Sequence, residues 1–113
     1  MYGIMSDSAF SIAANAVSAN VYAGKLYEFP PRPSVVRVRL SGSAVGLNAT
    51  LLIGGTSVVN DQPISQSNRW PILPDDLLIQ VPVRAGSRLV LTFRNTTAGA
   101  LTVNHVTEVL AVA

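Results

Sequence analysis

The stretch Leu77–Leu101, which reads LLIQVPVRAGSRLVLTFRNTTAGAL, has the clearest pattern in the chain. In residues 77–83 and again in 89–93 apolar side chains occupy every second position, and a period of two is typical of a β-strand with one buried face. Gly86 lies between the two runs and can adopt the positive φ that closes a short loop. We therefore predict an antiparallel hairpin at the centre of the fold. Its core side is predicted to carry Leu77, Ile79, Val81, Val83, Leu89, Leu91 and Phe93, and its reverse side Leu78, Val90, Arg84, Arg88 and Arg94.

Short apolar runs separated by turn signals continue on both sides of this hairpin. Gly54-Gly55 predicts a second tight hairpin, and a change of apolar phase predicts a bulge at Asn104–His105. No long helical pattern is present, and the turn signals recur about every 8 to 12 residues. The prediction is an all-β fold, an antiparallel β-sandwich or jelly roll of about seven to nine short strands. Further strands are predicted at 26–29, 34–41, 47–53, 57–59 and 106–112.

The N-terminal residues 1–20 have a different composition, rich in Ala, Ser and Asn. Some of their apolar residues have roughly helical spacing, but a short helix without charge pairs is marginal on its own. We predict that residues 1–20 form an extended arm or the first strand, and that residues 21–113 form the β-sandwich domain.

Charged residues are scarce in this chain. They make up 12% of it, against roughly 25% in an average soluble domain, while hydrophobic residues make up 49%. Because a small domain has much surface for its volume, this composition favours an exterior that partly contacts another protein. A surface covered by uncharged Ser, Thr, Asn and Gln is the alternative.

Several classes of function are disfavoured by charge and composition. A net charge of +2 is too small for the basic stripe that nucleic-acid binding needs. The chain has no cysteine, so it forms neither disulfides nor thiolate metal sites. The first ten residues lack a basic region and include Asp7, and no apolar run approaches the roughly 20 residues of a membrane span. We predict synthesis and assembly in the cytosol, without a nucleic-acid or membrane partner.

No arrangement of residues predicts catalysis. His105 is the only histidine and has no nucleophile motif beside it, and Glu108, three residues later, is predicted on the opposite sheet face. Asp75-Asp76 follows a proline and is more typical of a turn than of a carboxylate pair. We therefore predict a protein that is not an enzyme and holds no metal or cofactor.

Trp70 and the arginines are the candidates for binding. Trp70 lies in a proline-rich loop, where tryptophan suits an interface anchor, while a sugar-stacking platform with Tyr2, Tyr22 and Tyr27 is the alternative. The arginines are predicted to form ion pairs with Glu28, Asp61 or Glu108, and phosphate binding is their alternative role. The predicted interface residues are Trp70, Arg69, Arg37, Arg39, Leu78, Val90, Arg88 and Arg94.

Four short motifs resemble small sandwich proteins encoded among the virion structural genes of tailed bacteriophages, including capsid decoration or cement proteins. They are Tyr27-Glu28-Phe29-Pro30, Pro74-Asp75-Asp76, Ala85-Gly86-Ser87-Arg88-Leu89 and Arg94–Leu101. The resemblance covers most of the chain from about Ala13 onward. It implies a homo-oligomer without catalytic residues, often a trimer, which sits on a lattice of the major capsid protein.

The functional expectation is therefore a non-enzymatic virion protein on the capsid surface, assembled in the host cytoplasm. It would associate with itself, as a trimer, and dock on the shell. The alternative is a carbohydrate-binding β-sandwich module of a phage fibre or spike, which would use Trp70. Adjacency of the gene to a capsid or a tail gene would discriminate between the two.

Overall fold

The fold is a β-sandwich. The structure, a computed structural model, describes residues 2–64, 66, 70, 71 and 76–112. Within these residues all regular structure is β, which confirms the predicted fold class and the number of strands. The strands are β1 (Tyr2–Ile12), β2 (Ser34–Gly42), β3 (Leu47–Ile53), β4 (Thr56–Pro63), β5 (Leu77–Val83), β6 (Leu89–Asn95) and β7 (Leu101–Ala111).

The strands form two antiparallel sheets. One sheet has four strands in the order β1-β7-β2-β5, and the other has three in the order β4-β3-β6. Alternate residues of both sheets enclose a single core, as the period-two pattern predicts. Fully buried side chains come from both layers, including Val36, Val38 and Val109 of the first sheet and Leu51 and Phe93 of the second.

The central hairpin is the main prediction that proves wrong. β5 pairs with β2 and β6 pairs with β3, so the two strands belong to different sheets. Gly86 has the predicted positive φ, but its N–H donates to the carbonyl of Pro30 instead of closing a hairpin. The connection 84–88 therefore crosses from one sheet to the other. Two strands that each have one apolar face can pack face to face as well as edge to edge, and the alternation alone does not distinguish the two arrangements.

The second predicted hairpin is confirmed, and the predicted bulge is displaced. Gly54 and Gly55 both have positive φ and join β3 to β4, with Ile53 opposite Thr56. β7 runs without interruption through Asn104–His105, and the irregularity lies in its neighbour β1, between Asp7 and Phe10. Ala9 has a φ of 53° there, and its N–H donates to Asn104 Oδ1 at 2.7 Å. The apolar phase change in β7 instead places Val106 on the outer face of the sheet.

The N-terminal residues belong to the sandwich. Most of residues 1–20 form β1, which pairs with β7 and contributes Met5 and Ile12 to the core. The chain then crosses to the other sheet and runs along the free edge of β6, where Ser18 N–H donates to the carbonyl of Phe93 at 2.8 Å and Val21 N–H to that of Leu91 at 2.9 Å. In the part of the chain that the structure describes, no break in the sheets separates residues 2–20 from the rest.

Side chains complete this cover of β6. The Oδ1 of Asn20 accepts the N–H of Leu91 at 3.0 Å, and its Nδ2 donates to the carbonyl of Leu89 at 3.1 Å. Ser18 Oγ accepts the N–H of Phe93 at 2.9 Å. Residues 26–29, predicted as a strand, instead form turns and bends, although the carbonyl of Glu28 accepts the N–H of Leu89 at 2.8 Å.

Candidate interaction surface

Predicted interface residues that the structure describes lie on opposite sides of the molecule. Arg37 and Arg39 are on the outer face of the four-stranded sheet, whereas Val90 and Arg94 are on the outer face of the three-stranded sheet. This separation follows from the crossover between β5 and β6. The reverse side of the predicted hairpin is therefore two surfaces instead of one.

Arg37 and Arg39 share a carboxylate with little exposure. Glu108 lies directly across from Arg37, and its oxygens are 3.0 Å from Arg37 Nη2 and 3.2 Å from Arg39 Nη2. The Glu108 side chain is only 7% exposed although it lies on an outer face. The predicted ion pair is confirmed, and so is the prediction that Glu108 and His105 point to opposite faces.

Trp70 immediately precedes a residue that contacts this cluster. The carbonyl of Pro71, the next residue, accepts a hydrogen bond from Arg39 Nη1 at 3.5 Å. Trp70 itself is 45% exposed. Two members of the alternative stacking platform are engaged elsewhere, because Tyr22 is fully buried and Tyr27 packs over Gly3. The side chain of Tyr2, its third member, lies outside the described part of the structure. Arg69 and Asp75 lie outside the described residues.

The other two candidate arginines that the structure describes also form the predicted ion pairs. Arg88 Nε lies 2.7 Å from a Glu28 oxygen, and Arg94 Nη2 lies 2.7 Å from an Asp61 oxygen. The hydrogen bond from Arg88 lowers the pKa of Glu28, and that from Arg94 lowers the pKa of Asp61. Asp61 in turn raises the pKa of Arg94. These charges are neutralised within the chain.

A bulge in β5 exchanges the roles of its first two residues. Val38 pairs with Ile79 and Arg39 pairs with Leu77, so Leu78 is the extra residue between them. Leu78 therefore packs against the core, although it was predicted on the reverse side. Leu77 was predicted in the core and is 37% exposed. Sequence alternation misassigns both because a bulge shifts the period by one residue.

His105 is the centre of a buried polar cluster. Its ring is fully buried, and its Nε2 lies 2.8 Å from an Asp7 oxygen. Lys25 Nζ is 3.2 Å from the same carboxylate, and the ring of Tyr22 meets the His105 ring edge to face at 5.9 Å. Among the described residues, His105 Nδ1 has no hydrogen-bond partner.

Electrostatics in this cluster favour a neutral histidine beside an ionised aspartate. Burial lowers the pKa of His105, and the attraction of Asp7 only partly opposes this effect. Burial would raise the pKa of Asp7, but hydrogen bonds from His105 and Lys25 outweigh it, so the pKa is lowered. Burial also raises the pKa of Tyr22. Because the imidazole is fully enclosed, the cluster acts as a polar cross-link between β1 and β7 in this conformation.

Neither a metal site nor a membrane helix is found where the structure can be described. No group of three or more metal-ligating side chains occurs among residues 2–64, 66, 70, 71 and 76–112. No helix in the same residues is long and apolar enough to cross a membrane.

Exposed apolar side chains gather at one end of the four-stranded sheet. This end is where β2 begins and where β5 and β7 finish. Leu110 is 45% exposed and Val112 59%, and on β1 Ile4 is 54% exposed. A groove of about 370 Å³ opens there. It is lined by Pro33, Ser34, Pro82, Val83, Arg84, Ala85 and Val112.

Sequence patterns did not identify this end of the molecule. Its residues come from three separate strands and from the proline-rich segment before β2, and only the pairing of those strands unites them. Apolar residues at alternate positions near the end of the last strand were the only sequence feature that pointed to this end of the molecule.

A second groove, of about 540 Å³, lies between the facing edges of β4 and β5. Asp76 lies on its wall and is 7% exposed. The connection from β4 to β5 lies largely outside the described residues.

No protein-family model and no curated protein matches this chain. The fold defines an all-β sandwich protein.

Proposed function

We propose that the chain is a non-enzymatic virion structural protein of the capsid decoration or cement type. It associates with copies of itself, as a trimer, and docks on the shell of the major capsid protein. The observation that carries the proposal is the cluster of exposed apolar side chains at one end of the four-stranded sheet. The resemblance to small sandwich proteins of tailed bacteriophages supports the same role.

The distribution of charge supports a contact surface at this end. Asp7, Glu28, Asp61 and Glu108 each form an ion pair with a lysine or arginine of the same chain. These charges therefore contribute little net field outside the molecule. Exposed apolar groups such as Leu110 and Val112 are the kind that mark protein interfaces.

The β-sandwich is suited to a structural role that requires a rigid subunit. Both sheets share one core, and β6, at the edge of its sheet, is covered by residues 15–21. Edge strands left open are sites of uncontrolled pairing, so covering one of them favours defined assembly. A rigid module with an apolar end can hold neighbouring subunits in a fixed orientation.

The oligomeric state tests the proposal directly. Wild-type protein at micromolar concentration should sediment as a trimer and should bind capsids that lack it. Leu110→Ser should weaken association or capsid binding, since it removes an exposed apolar contact at the proposed surface.

Val45→Ser is the matched control, because Val45 is 76% exposed at the opposite end of the sheet. A compact monomer that fails to bind capsids would overturn the proposal. Equal effects of the two substitutions would show that the apolar end is not the contact.

A carbohydrate-binding module remains the second candidate, because Trp70 is 45% exposed. Binding on a glycan array that is abolished by Trp70→Ala would favour it. Phe29→Ala is the control, since Phe29 is another exposed aromatic, at 53%. The absence of any glycan signal would exclude this candidate.

A further inference from the structure

The groove at the apolar end is formed by three strand ends and one proline-rich segment. Val112 N–H donates to the carbonyl of Pro33 at 3.0 Å, which fixes the end of β7 against the start of β2. Pro82 and Val83 of β5 form the opposite side. Its volume of about 370 Å³ is near the lower limit for ligand pockets, so it suits one or two side chains better than a large cofactor.

The surface of this groove lacks many of the usual hydrogen-bond donors. Pro33 and Pro82 have no backbone N–H, and Val112 presents an exposed aliphatic side chain. Apolar side chains of a partner would therefore bury well here. The outer-face residue Leu110 extends the apolar surface beyond the groove.

One arginine lies in the lining of the groove, and a second adjoins the lining along the chain. Arg84 lines it, and Arg32 immediately precedes Pro33. Both are exposed, and neither takes part in an ion pair among the described residues. In contrast, Lys25 and four other arginines are paired with carboxylates. These arginines are Arg37, Arg39, Arg88 and Arg94.

An unpaired arginine beside an apolar groove favours a carboxylate in the partner. The guanidinium group binds carboxylates through two parallel hydrogen bonds and is common at protein interfaces. Among the described residues, a second copy of this chain is a poor source of that carboxylate. Asp7, Glu28, Asp61 and Glu108 are already paired, Asp76 is only 7% exposed, and the same end of another copy would bring its own Arg32 and Arg84.

We infer that this groove binds an extended segment of a different protein, in which apolar side chains alternate with aspartate or glutamate. The apolar side chains enter between Pro33, Pro82 and Val112, and the carboxylates pair with Arg84 and Arg32. The inference rests on the proposed function insofar as the segment belongs to the shell protein, and it names the surface used for docking.

A model peptide tests the chemistry without knowledge of the natural partner. The probe is a fluorescein-labelled peptide of alternating valine and glutamate, and its binding is measured by fluorescence anisotropy. It should bind the wild-type protein and weaken as salt is added, because the arginine contacts are exposed. A peptide with lysine at each glutamate position, and one with serine at each valine position, should each bind at least about tenfold more weakly.

Two arginine substitutions locate the site. Arg84→Gln should weaken binding of the valine–glutamate peptide by about tenfold or more. Arg94→Gln removes an arginine from the opposite sheet and should leave the affinity within about twofold. Arg84→Glu should also reverse the preference, so that the lysine peptide binds better than the glutamate peptide. Equal losses in the Arg84 and Arg94 variants, or no discrimination between the peptides, would overturn the inference.

Capsid binding separates this inference from the proposed function. If the wild-type chain binds capsids and both Arg84→Gln and Val112→Ser bind equally well, the groove is not the docking surface, although the proposed function stands. If the peptide binds at the groove and the chain does not bind capsids, the role in the virion fails and the groove chemistry stands. Unchanged thermal unfolding of both variants confirms that a loss of binding is not a loss of fold.

Discussion

The side chain of Asn20 bonds to the backbone of β6 where a neighbouring strand would otherwise pair. The substitution Asn20→Ala therefore tests how the edge of β6 is stabilised. The Oδ1 of Asn20 accepts the N–H groups of Leu91 and Tyr22, and its Nδ2 donates to the carbonyl of Leu89, all at 3.0–3.1 Å. Asn20→Ala removes all three hydrogen bonds. Leu89 and Leu91 are fully buried, so their backbone groups lose partners close to the core.

The expected loss of stability follows from these contacts. A hydrogen bond contributes about 0.5–1.5 kcal/mol net, and a buried group left without a partner costs about 1–3 kcal/mol. Because Asn20 is itself half-buried, water can replace part of what is lost. We expect Asn20→Ala to lower the free energy of unfolding by about 2–3 kcal/mol, which corresponds to a fall of about 10 °C in Tm. Asn20→Asp keeps the two accepted hydrogen bonds and should lose less.

Urea unfolding and amide hydrogen exchange measure the two consequences. The exchange of the Leu91 N–H should accelerate in Asn20→Ala, while that of core amides in β7 follows only the global loss of stability. Asn60→Ala is the control, since Asn60 is exposed on β4, and it should change stability by less than about 0.5 kcal/mol. A loss in Asn20→Ala no larger than that of the control would refute the idea that this side chain holds the edge of β6.

Three further predictions concern the core, the buried ion pair and pH. Phe93→Ala should cost about 3–5 kcal/mol in urea unfolding, because Phe93 is fully buried between the sheets, and a cost below about 1 kcal/mol would contradict this placement. Glu108→Gln should cost about 1–3 kcal/mol and clearly more than Asp61→Asn, since Glu108 is enclosed and Asp61 is exposed. Urea midpoints should fall as pH decreases through the ordinary His105 pKa of 6.5, because the buried ring has a lowered pKa and the unfolded chain takes up the proton more readily. His105→Gln should remove that slope. A further loss of stability at more acidic pH should persist in this variant, because Glu28 and Asp61 keep the lowered pKa values that their arginines give them.

Much of the local structure was accessible from residue patterns. Alternation correctly predicted the buried face of β6, and Gly54-Gly55 correctly predicted the turn between β3 and β4. Charge pairing was predictable too, because so few acids are present that each arginine had few possible partners. The confirmed pairs are those of Glu28, Asp61 and Glu108.

The candidate surface was less accessible. Trp70 and the arginines were the visible candidates, because aromatic and charged residues are conspicuous in a chain with few of either. The apolar end, in contrast, is built from ordinary residues such as Pro33, Pro82 and Val112, which are distant along the chain. The sequence placed Arg84 only on the reverse side of the predicted hairpin, because its position beside the groove depends on residues that are distant along the chain.

In Leu77–Leu101 the residue pattern predicts the strands correctly but not which strands pair with each other. The period of two specified strands and their buried faces, since that information is local to each run of residues. Which strand lies beside which depends on long-range hydrogen bonds, and these place β5 next to β2 and β6 next to β3. Two apolar strand faces gain comparable burial from packing against each other across the core or from sharing one sheet. The choice was therefore made by the rest of the chain, in which residues 15–21 cover one edge of β6 and β3 pairs with the other.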